Sequence, residues 1–308
     1  MRQNFKDIVF VLAKIMVLGV LSLGFSACSS SSPTDIETES EISAEGESAS
    51  PSGEITPEAT VTAGPTPTPV ILDLSDYEEV PLPQLDSPQS GEEIAVLTTD
   101  MGTIRIRFFP DYAPNAVQNF KTIAKSGKYD GVIFHRVIDE FVIQTGDTDH
   151  LDGRGGSSIW PDGFETEVSA TLHHIRGAVG VARGESTSSQ GSQFYIVQNK
   201  KLDDSSIAQI ESYKEIQDHA VAQYEDGTYL PMAQIFPEKI LDYYLENGGV
   251  PALDTGYTVF AQVIEGLDVV DKIAAVETTG SAPEDEATPL DKPLTDVVLQ
   301  SVTFETYP

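Results

Sequence analysis

The chain has 308 residues and a formal net charge of −31, from 49 acidic side chains against 18 lysines and arginines. This charge argues against nucleic acid as a partner, because neutralising phosphates requires positive side chains. The single cysteine is Cys28. A folded part that begins after it therefore has no thiol for a disulfide, a thiolate metal site or a cysteine nucleophile.

The first segment, residues 1–27, has the layout of a secretory signal peptide. Basic residues come first, an apolar run follows from Ile8 to Leu23, and small residues precede Cys28, although Phe25 stands where leucine is usual. This order predicts lipid attachment at Cys28, as in a bacterial lipoprotein. The alternative is an uncleaved membrane anchor, but the run falls short of the ~20 apolar residues of a span. We expect an extracytoplasmic protein, bound to the cell membrane through its lipid alone.

Residues 28–91 are predicted to form a disordered linker. They are mostly Ser, Thr, Pro and acidic residues, and include the alternating Pro and Thr of residues 64–69. Such a composition buries too little apolar surface to offset the entropy lost on ordering. We interpret the segment as a stalk that holds the next domain away from the lipid, with a small independent domain as the alternative.

From residue 92 onward the sequence alternates between apolar and polar residues, which is typical of β-strands. A hairpin is predicted over 94–108 with its turn at Gly102, and a helix over 113–124 with Pro114 near its start. A second short helix is predicted over 267–275. Six further strands are predicted over 132–138, 141–145, 178–182, 194–198, 258–264 and 297–304. Short antiparallel strands with two helices indicate a mainly β fold, a closed barrel capped by helices.

One segment does not fit this pattern. Apolar residues at helical spacing occur from Ile207 to Tyr224 and again from Pro237 to Leu245. We interpret residues 199–250 as a helical insertion between two strands of the barrel.

Arg136 stands in an otherwise apolar strand, where alternation places it on one face with Phe134 and Ile138. In the same way Val142 shares a face with Gln144 in the following strand, and Gln193 with Tyr195 in a later one. His135 is predicted to point away from Arg136, into the core. The adjacent histidines His173 and His174 are predicted to be exposed on a loop and not to hold a metal, because no third ligand is near.

Long strings of residues in these strands resemble the cyclophilin family. They are FHRVIDEFVIQTGD at 134–147, GAVGVARGESTSSQGSQFYIV at 177–197 and GYTVFAQVIEGLDVVDKI at 256–273. The resemblance runs from about residue 94 to 306. It implies a peptidyl-prolyl cis/trans isomerase domain over residues 92–308, with an eight-stranded closed antiparallel barrel, a proline pocket on its outer surface, and no cofactor.

The resemblance also implies roles for particular residues. Arg136 corresponds to the catalytic arginine, and Gln144 is assigned to catalysis beside it. The residues implied to bind substrate are Phe141, Val142, Ala182, Arg183, Gly184, Gln193, Tyr195, Leu253 and Tyr257. Leu202 is a rival for the position of Leu253, because the insertion makes that part of the alignment ambiguous.

Several positions depart from the family's usual pattern. Asp139 and Glu140 replace the usual Pro-Gly, so an alternative is that Arg136 is a structural arginine paired with one of these acids. Ala252 aligns with the tryptophan that helps the family bind cyclosporin, which predicts weak cyclosporin binding.

We therefore expect a monomeric foldase that acts on proline-containing segments of exported proteins. An alternative from another class is a module that binds proline motifs with little turnover. A third hypothesis makes the 199–250 insertion a docking or chaperone-like element.

Overall fold

The computed structural model describes residues 79–217, 220–223, 229–280 and 290–308. The predicted signal peptide, Cys28, most of the predicted linker and Tyr224 lie outside these ranges. No helix within the described ranges is long and apolar enough to cross a membrane.

The described residues contain eleven strands: β1 (Glu93–Thr99), β2 (Gly102–Phe108), β3 (Val132–Ile133), β4 (Arg136–Ile138), β5 (Val142–Thr145), β6 (Ala178–Val181), β7 (Phe194–Val197), β8 (Val221–Gln223), β9 (Tyr229–Pro231), β10 (Val259–Glu265) and β11 (Val298–Thr306). Nine of them form one antiparallel sheet, in the order β3-β11-β1-β2-β10-β6-β7-β5-β4. The other two, β8 and β9, pair with each other.

The predicted hairpin is confirmed as β1 and β2, paired from Thr99 opposite Gly102 to Ile94 opposite Arg107. Gly102 has a φ of 140°, and a Cβ there would lie 2.7 Å from a methyl carbon of Val269. The turn therefore requires glycine both for its backbone and for its packing.

The predicted strand over residues 132–138 is interrupted, which changes the expected architecture. Its first part, β3, pairs with β11, and its last part, β4, pairs with β5. Phe134 and His135 link these two edges of the sheet without joining its ladder. The described strands thus form a curled nine-stranded sheet, and not the uninterrupted eight-stranded barrel that we predicted.

The interruption also corrects one face assignment. Phe134 and Val137 are both fully buried in the main core, whereas Arg136 is partly exposed. Strict alternation had placed Phe134 beside Arg136. The break in the strand shifts the side-chain period by one residue, because alternation holds only within continuous extended backbone.

Two helices, α1 (Pro114–Lys125) and α5 (Leu267–Ala274), pack against the sheet as predicted. Both contribute their apolar faces to the main core, with Phe120 of α1 in ring contact with the aromatic side chains Phe108, Tyr129, Phe194 and Phe260. Pro114 occupies the first helical position, where its missing N–H removes no hydrogen bond.

The insertion contains α2 (Asp204–Ile216), α3 (Met232–Ile235) and α4 (Glu238–Asn247), together with the β8–β9 pair. Its helices enclose a separate apolar cluster, which includes Leu202. The insertion is mainly helical, as predicted, but helical periodicity did not reveal the two short strands.

Part of the predicted linker, residues 79–91, lies within the described ranges. Residues Pro83–Leu85 form a 3-10 helix, and Gln84 is only 8% exposed. Its side-chain amide donates to the His173 carbonyl at 2.8 Å and accepts from the His173 N–H at 2.6 Å. These hydrogen bonds to a distant loop offset the burial of a polar side chain, and composition alone does not reveal them.

Candidate active site

The sheet has a second apolar face outside the main core. In β5, Ile143 lies in the main core while its neighbour Val142 lies in the second cluster, and Ile196 and Tyr195 of β7 are divided in the same way. Alternation along each strand therefore supplies two packed faces.

Six of the predicted pocket residues belong to this second cluster: Phe141, Val142, Ala182, Tyr195, Leu253 and Tyr257. We call these six residues the outer pocket, after the role predicted for them. Leu253 is carried by a second 3-10 helix, Pro251–Leu253. Its rival Leu202 instead packs inside the insertion. Ala252, in the position of the family's tryptophan, is exposed.

Tyr195 lies close against the backbone of Gly180. A Cβ on Gly180 would lie 2.4 Å from the phenol oxygen of Tyr195. Strand β6 therefore needs a glycine opposite this ring, and Tyr195 forms a closely packed wall of the pocket. Burial raises the pKa of Tyr195 well above its ordinary value, so its hydroxyl stays protonated.

Arg136 lies beside this wall, opposite Gln144 in the β4–β5 ladder. Its Nη1 donates a long hydrogen bond of 3.5 Å to Gln144 Oε1, and its Nε lies 3.9 Å from a carboxylate oxygen of Asp291. The side chain is 20% exposed. Burial lowers the pKa of Arg136, with Asp291 acting in the opposite direction, and an arginine still keeps its charge at any physiological pH.

A chain of amides orients the Gln144 side chain. Gln144 donates to Gln193 Oε1 at 2.8 Å, and Gln193 donates in turn to the carbonyls of Gly153 and Gly155, at 2.8 and 2.7 Å. That loop is itself shaped by the buried Asp147, whose carboxylate accepts hydrogen bonds from several backbone N–H groups. These hydrogen bonds thus link Arg136, Gln144 and Gln193 into one polar edge of the outer pocket.

The two acids next to Arg136 in sequence do not hold it. Asp139 is exposed, and the carboxylate of Glu140 accepts a hydrogen bond from the Lys200 N–H at 3.0 Å. Asp291 places a carboxylate oxygen 3.9 Å from Arg136 Nε, and it is not among the residues predicted for the site. No local pattern marks Asp291, because it reaches the site from the far end of the chain.

Arg183 packs against Tyr257, a member of the outer pocket. Its Nε donates to the Gly256 carbonyl at 2.9 Å, and its guanidinium lies 4.7 Å from the centre of the Tyr257 ring. The N–H groups of Ala182 and Gly184 are already engaged, by the Gln193 carbonyl and by Ser189 Oγ. These two N–H groups, in the segment predicted to bind substrate, therefore have partners within the chain.

His173 and His174 are fully buried, which corrects the prediction that they are exposed. Both rings hydrogen-bond Asp254, and each Nδ1 lies 3.0 Å from a carboxylate oxygen. The sequence did not reveal this because Asp254 is distant in the chain. Within the described residues, no cluster of three or more His, Cys, Asp or Glu side chains could hold a metal ion.

A family model for cyclophilin type peptidyl-prolyl cis-trans isomerases matches residues 94–303. The chain belongs to the cyclophilin family. The match covers nearly all of the sheet together with the outer pocket and the insertion, so the isomerase activity of the family is assigned to this domain.

Relatives of this cyclophilin agree with the assignment. A Staphylococcus aureus (strain USA300) protein named as a peptidyl-prolyl cis-trans isomerase is 38% identical over 224 residues, which cover 72% of this chain and 98% of that protein. A Streptococcus pyogenes serotype M6 protein, named as a bifunctional phosphatase/peptidyl-prolyl cis-trans isomerase, is 37% identical over 73% of this chain and 41% of its own length.

Solved cyclophilin structures also align with this chain. The crystal structure of a cyclophilin type isomerase from Cryptosporidium parvum aligns with a TM-score of 0.48 and 20% identity, covering 71% of this chain and 99% of that one. A second structure of that isomerase was obtained in the presence of the dipeptide Ala-Pro, with the same TM-score of 0.48.

Proposed function

We propose that this cyclophilin accelerates proline isomerisation in proteins exported from the cell, while a lipid on Cys28 holds it at the outer face of the membrane. The observation that carries the catalytic part is the position of Arg136, a partly buried guanidinium at the edge of an apolar pocket. The signal-like residues 1–27 support the location.

The reaction needs a hydrogen-bond donor at the prolyl nitrogen. Rotation about an amide is opposed by ~18–20 kcal/mol, because the nitrogen lone pair is delocalised into the carbonyl. In the twisted transition state the lone pair returns to nitrogen, so a donor placed there binds the transition state more tightly than either ground state. Arg136 supplies that donor, since its guanidinium is always charged and rigidly forked.

The outer pocket supplies the second requirement, a fixed proline ring. Val142, Tyr195 and Leu253 are each less than a tenth exposed and form a firm wall, and Phe141 and Tyr257 pack at its edge. A ring held there leaves the preceding carbonyl free to rotate. Gln144 and Gln193 hold the Arg136 side chain in place through their hydrogen bonds. No proton transfer or nucleophile takes part.

A refolding assay limited by proline isomerisation tests the catalytic role. We expect the wild-type domain to accelerate refolding and Arg136→Ala to lose at least tenfold in kcat/KM, because a lost transition-state hydrogen bond is worth more than ~1.4 kcal/mol. Arg154→Ala is the matched control, since that side chain is 70% exposed. Equal rates for wild type and Arg136→Ala would overturn the role of Arg136.

The alternative function is a module that binds proline motifs with little turnover. Tight binding of proline peptides without acceleration of refolding would favour it.

A further inference from the structure

The insertion is connected to the outer pocket by a buried network of polar side chains. At its centre is Asp254, which is 4% exposed and directly follows the 3-10 helix that carries Leu253. Its Oδ1 accepts from the His174 backbone N–H at 2.6 Å and from the Tyr244 hydroxyl at 2.9 Å. Tyr244 belongs to α4, so one of these donors comes from the insertion.

The network extends from Asp254 to the pocket wall. His174 Nδ1 lies 3.0 Å from Asp254 Oδ1, and His174 Nε2 lies 2.8 Å from the Tyr195 hydroxyl. A carboxylate only accepts hydrogen bonds, so Nδ1 of His174 carries the proton that it donates. In this tautomer Nε2 accepts from Tyr195. A directed path therefore runs from the Tyr195 hydroxyl through His174 to the carboxylate that Tyr244 also holds.

Burial makes this path rigid. Tyr244 and His174 are fully buried, and Tyr195 is 5% exposed. An unpaired polar group would be costly at such a depth, so each member is confined to geometries that keep its partners. The phenol oxygen lies in the plane of its ring, and fixing it therefore fixes the direction of the Tyr195 ring in the pocket.

The backbone connects the insertion to the same histidine. After α4 the chain turns at Gly249, where a Cβ would lie 2.7 Å from the His174 carbonyl oxygen and 2.6 Å from the Tyr244 ring. The next residue, Val250, donates its N–H to that same carbonyl at 2.8 Å. The end of the insertion is thus fixed to the His174 backbone by this hydrogen bond and by the close approach of Gly249.

We propose that Tyr244 of the insertion is a positioning residue for the proline pocket, acting through Asp254 and His174 on the Tyr195 wall. This rests on the proposed function of the pocket. The insertion is then a structural part of the pocket, and not only an external docking element. Any partner that moved α4 would change the affinity of the pocket for proline.

The test compares Tyr244→Phe with Tyr243→Phe, its neighbour on α4, whose ring lies in the apolar cluster of the insertion. Binding of the tetrapeptide Ala-Ala-Pro-Phe and its exchange rate at saturation are measured by NMR. We expect Tyr244→Phe to raise the Kd of the peptide about fivefold, while the cis/trans exchange rate at saturation changes less than twofold. The reason is that, in the proposed function, Tyr195 packs against the proline ring and not against the rotating amide. Tyr243→Phe is expected to leave both values unchanged. Equal Kd values for the two variants would overturn the proposal.

A double-mutant cycle separates positioning from general destabilisation. Tyr195→Phe removes the hydroxyl at the pocket end of the network, and is expected to raise the Kd by a similar factor. Adding Tyr244→Phe should then have little further effect, because the path is already broken. Effects that multiply independently would contradict the proposal. Tyr195→Phe alone keeps the test decisive if Tyr244→Phe fails to fold, since an unchanged Kd would also overturn it.

The cycle does not depend on turnover. Repeated in an Arg136→Ala background, it measures only peptide binding. The NMR signals of the Tyr195 ring are then followed in the variants that keep Tyr195, with and without Tyr244→Phe. If wild type fails to catalyse, the proposed function fails, while a shift of the Tyr195 signals on Tyr244→Phe would still support the coupling. If catalysis is present but those signals do not respond to Tyr244→Phe, the coupling fails alone.

Discussion

Asp291 faces the Arg136 guanidinium from an unusual backbone conformation. Its φ of 53° is in the left-handed region, which is rare for residues other than glycine, asparagine and aspartate. Its carbonyl accepts from the Val137 N–H at 2.8 Å, so the residue is fixed to the same strand as Arg136. With a side chain only 12% exposed, its carboxylate helps to hold the guanidinium in place.

We therefore expect Asp291→Asn to lower kcat/KM about tenfold, a change of ~1.4 kcal/mol in transition-state stabilisation. Asparagine keeps the left-handed backbone but removes the charge that faces Arg136. The control is Asp296→Asn, because that carboxylate is 54% exposed and pairs with Lys292. Refolding kinetics measure the effect, and full activity in Asp291→Asn would mean that other contacts suffice to orient Arg136.

His135 is a buried histidine that faces the loop around Gly153. The side chain has no hydrogen-bond partner on either ring nitrogen within the described part of the chain. Burial lowers the pKa of His135 to about 4, although the nearby carboxylate of Asp147 acts in the opposite direction and Arg136 adds to the lowering. The ordinary pKa of histidine is about 6.5.

This pKa difference predicts that stability falls with acidification. Between pH 6.5 and about 4 the unfolded chain binds a proton at His135, whereas His135 stays neutral in the folded chain. The stabilisation that comes from the neutral, buried His135 is fully present above pH 6.5. It is lost as pH falls from 6.5 through about 4, which lowers the free energy of unfolding by roughly 3 kcal/mol at 1.36 kcal/mol per pH unit. Urea unfolding across this range should give a flatter profile for His135→Gln, whereas His150→Gln, an exposed histidine, should match wild type. Parallel profiles for His135→Gln and wild type would refute the prediction.

At the scale of elements, the short 3-10 helix Pro83–Leu85 is bonded to the rest of the domain through Gln84. Gln84 hydrogen-bonds both backbone groups of His173 and also donates to the side chain of Gln262 at 3.0 Å. These hydrogen bonds connect the 3-10 helix to the first residue of the buried His173 and His174 pair. The helix is thus an integral part of the domain, although its composition resembles that of the linker.

Gln84→Ala should lower the free energy of unfolding by about 2 kcal/mol, because it leaves buried groups of His173 and Gln262 without their partner. Gln89→Ala is the matched control, since Gln89 is exposed and bonds only locally. Urea denaturation of wild type and of both variants measures the effect. Equal midpoints would show that the 3-10 helix contributes nothing to the stability of the domain.

At the scale of the whole molecule, the negative charge and the proposed lipid act in opposite directions. A net charge of −31 repels anionic membrane surfaces, so attachment to the membrane would depend on Cys28. Substituting Cys28→Ser in the producing cell should release the isomerase from the membrane fraction and abolish fatty-acid labelling. The kcat/KM of the released enzyme should match that of the attached form. Retention of Cys28→Ser on the membrane would favour the uncleaved anchor.

The sequence determined most of the strands and both capping helices, because alternation and helical spacing follow directly from local backbone geometry. It also pointed to Arg136, since a guanidinium in an apolar strand is conspicuous in a single sequence. Three strings, at 134–147, 177–197 and 256–273, predicted the family, which the family model and the relatives confirm.

The tertiary structure alone decided which residues meet. Asp291 reaches Arg136, and Asp254 brings His174 and Tyr244 together, although these residues are separate in the sequence. It also decided that the histidine pair is buried, and that Leu253 packs with Val142 and Tyr195 whereas Leu202 packs inside the insertion. The reason is physical: local geometry sets how a side chain points from its own element, but its partners and its exposure depend on how distant elements pack.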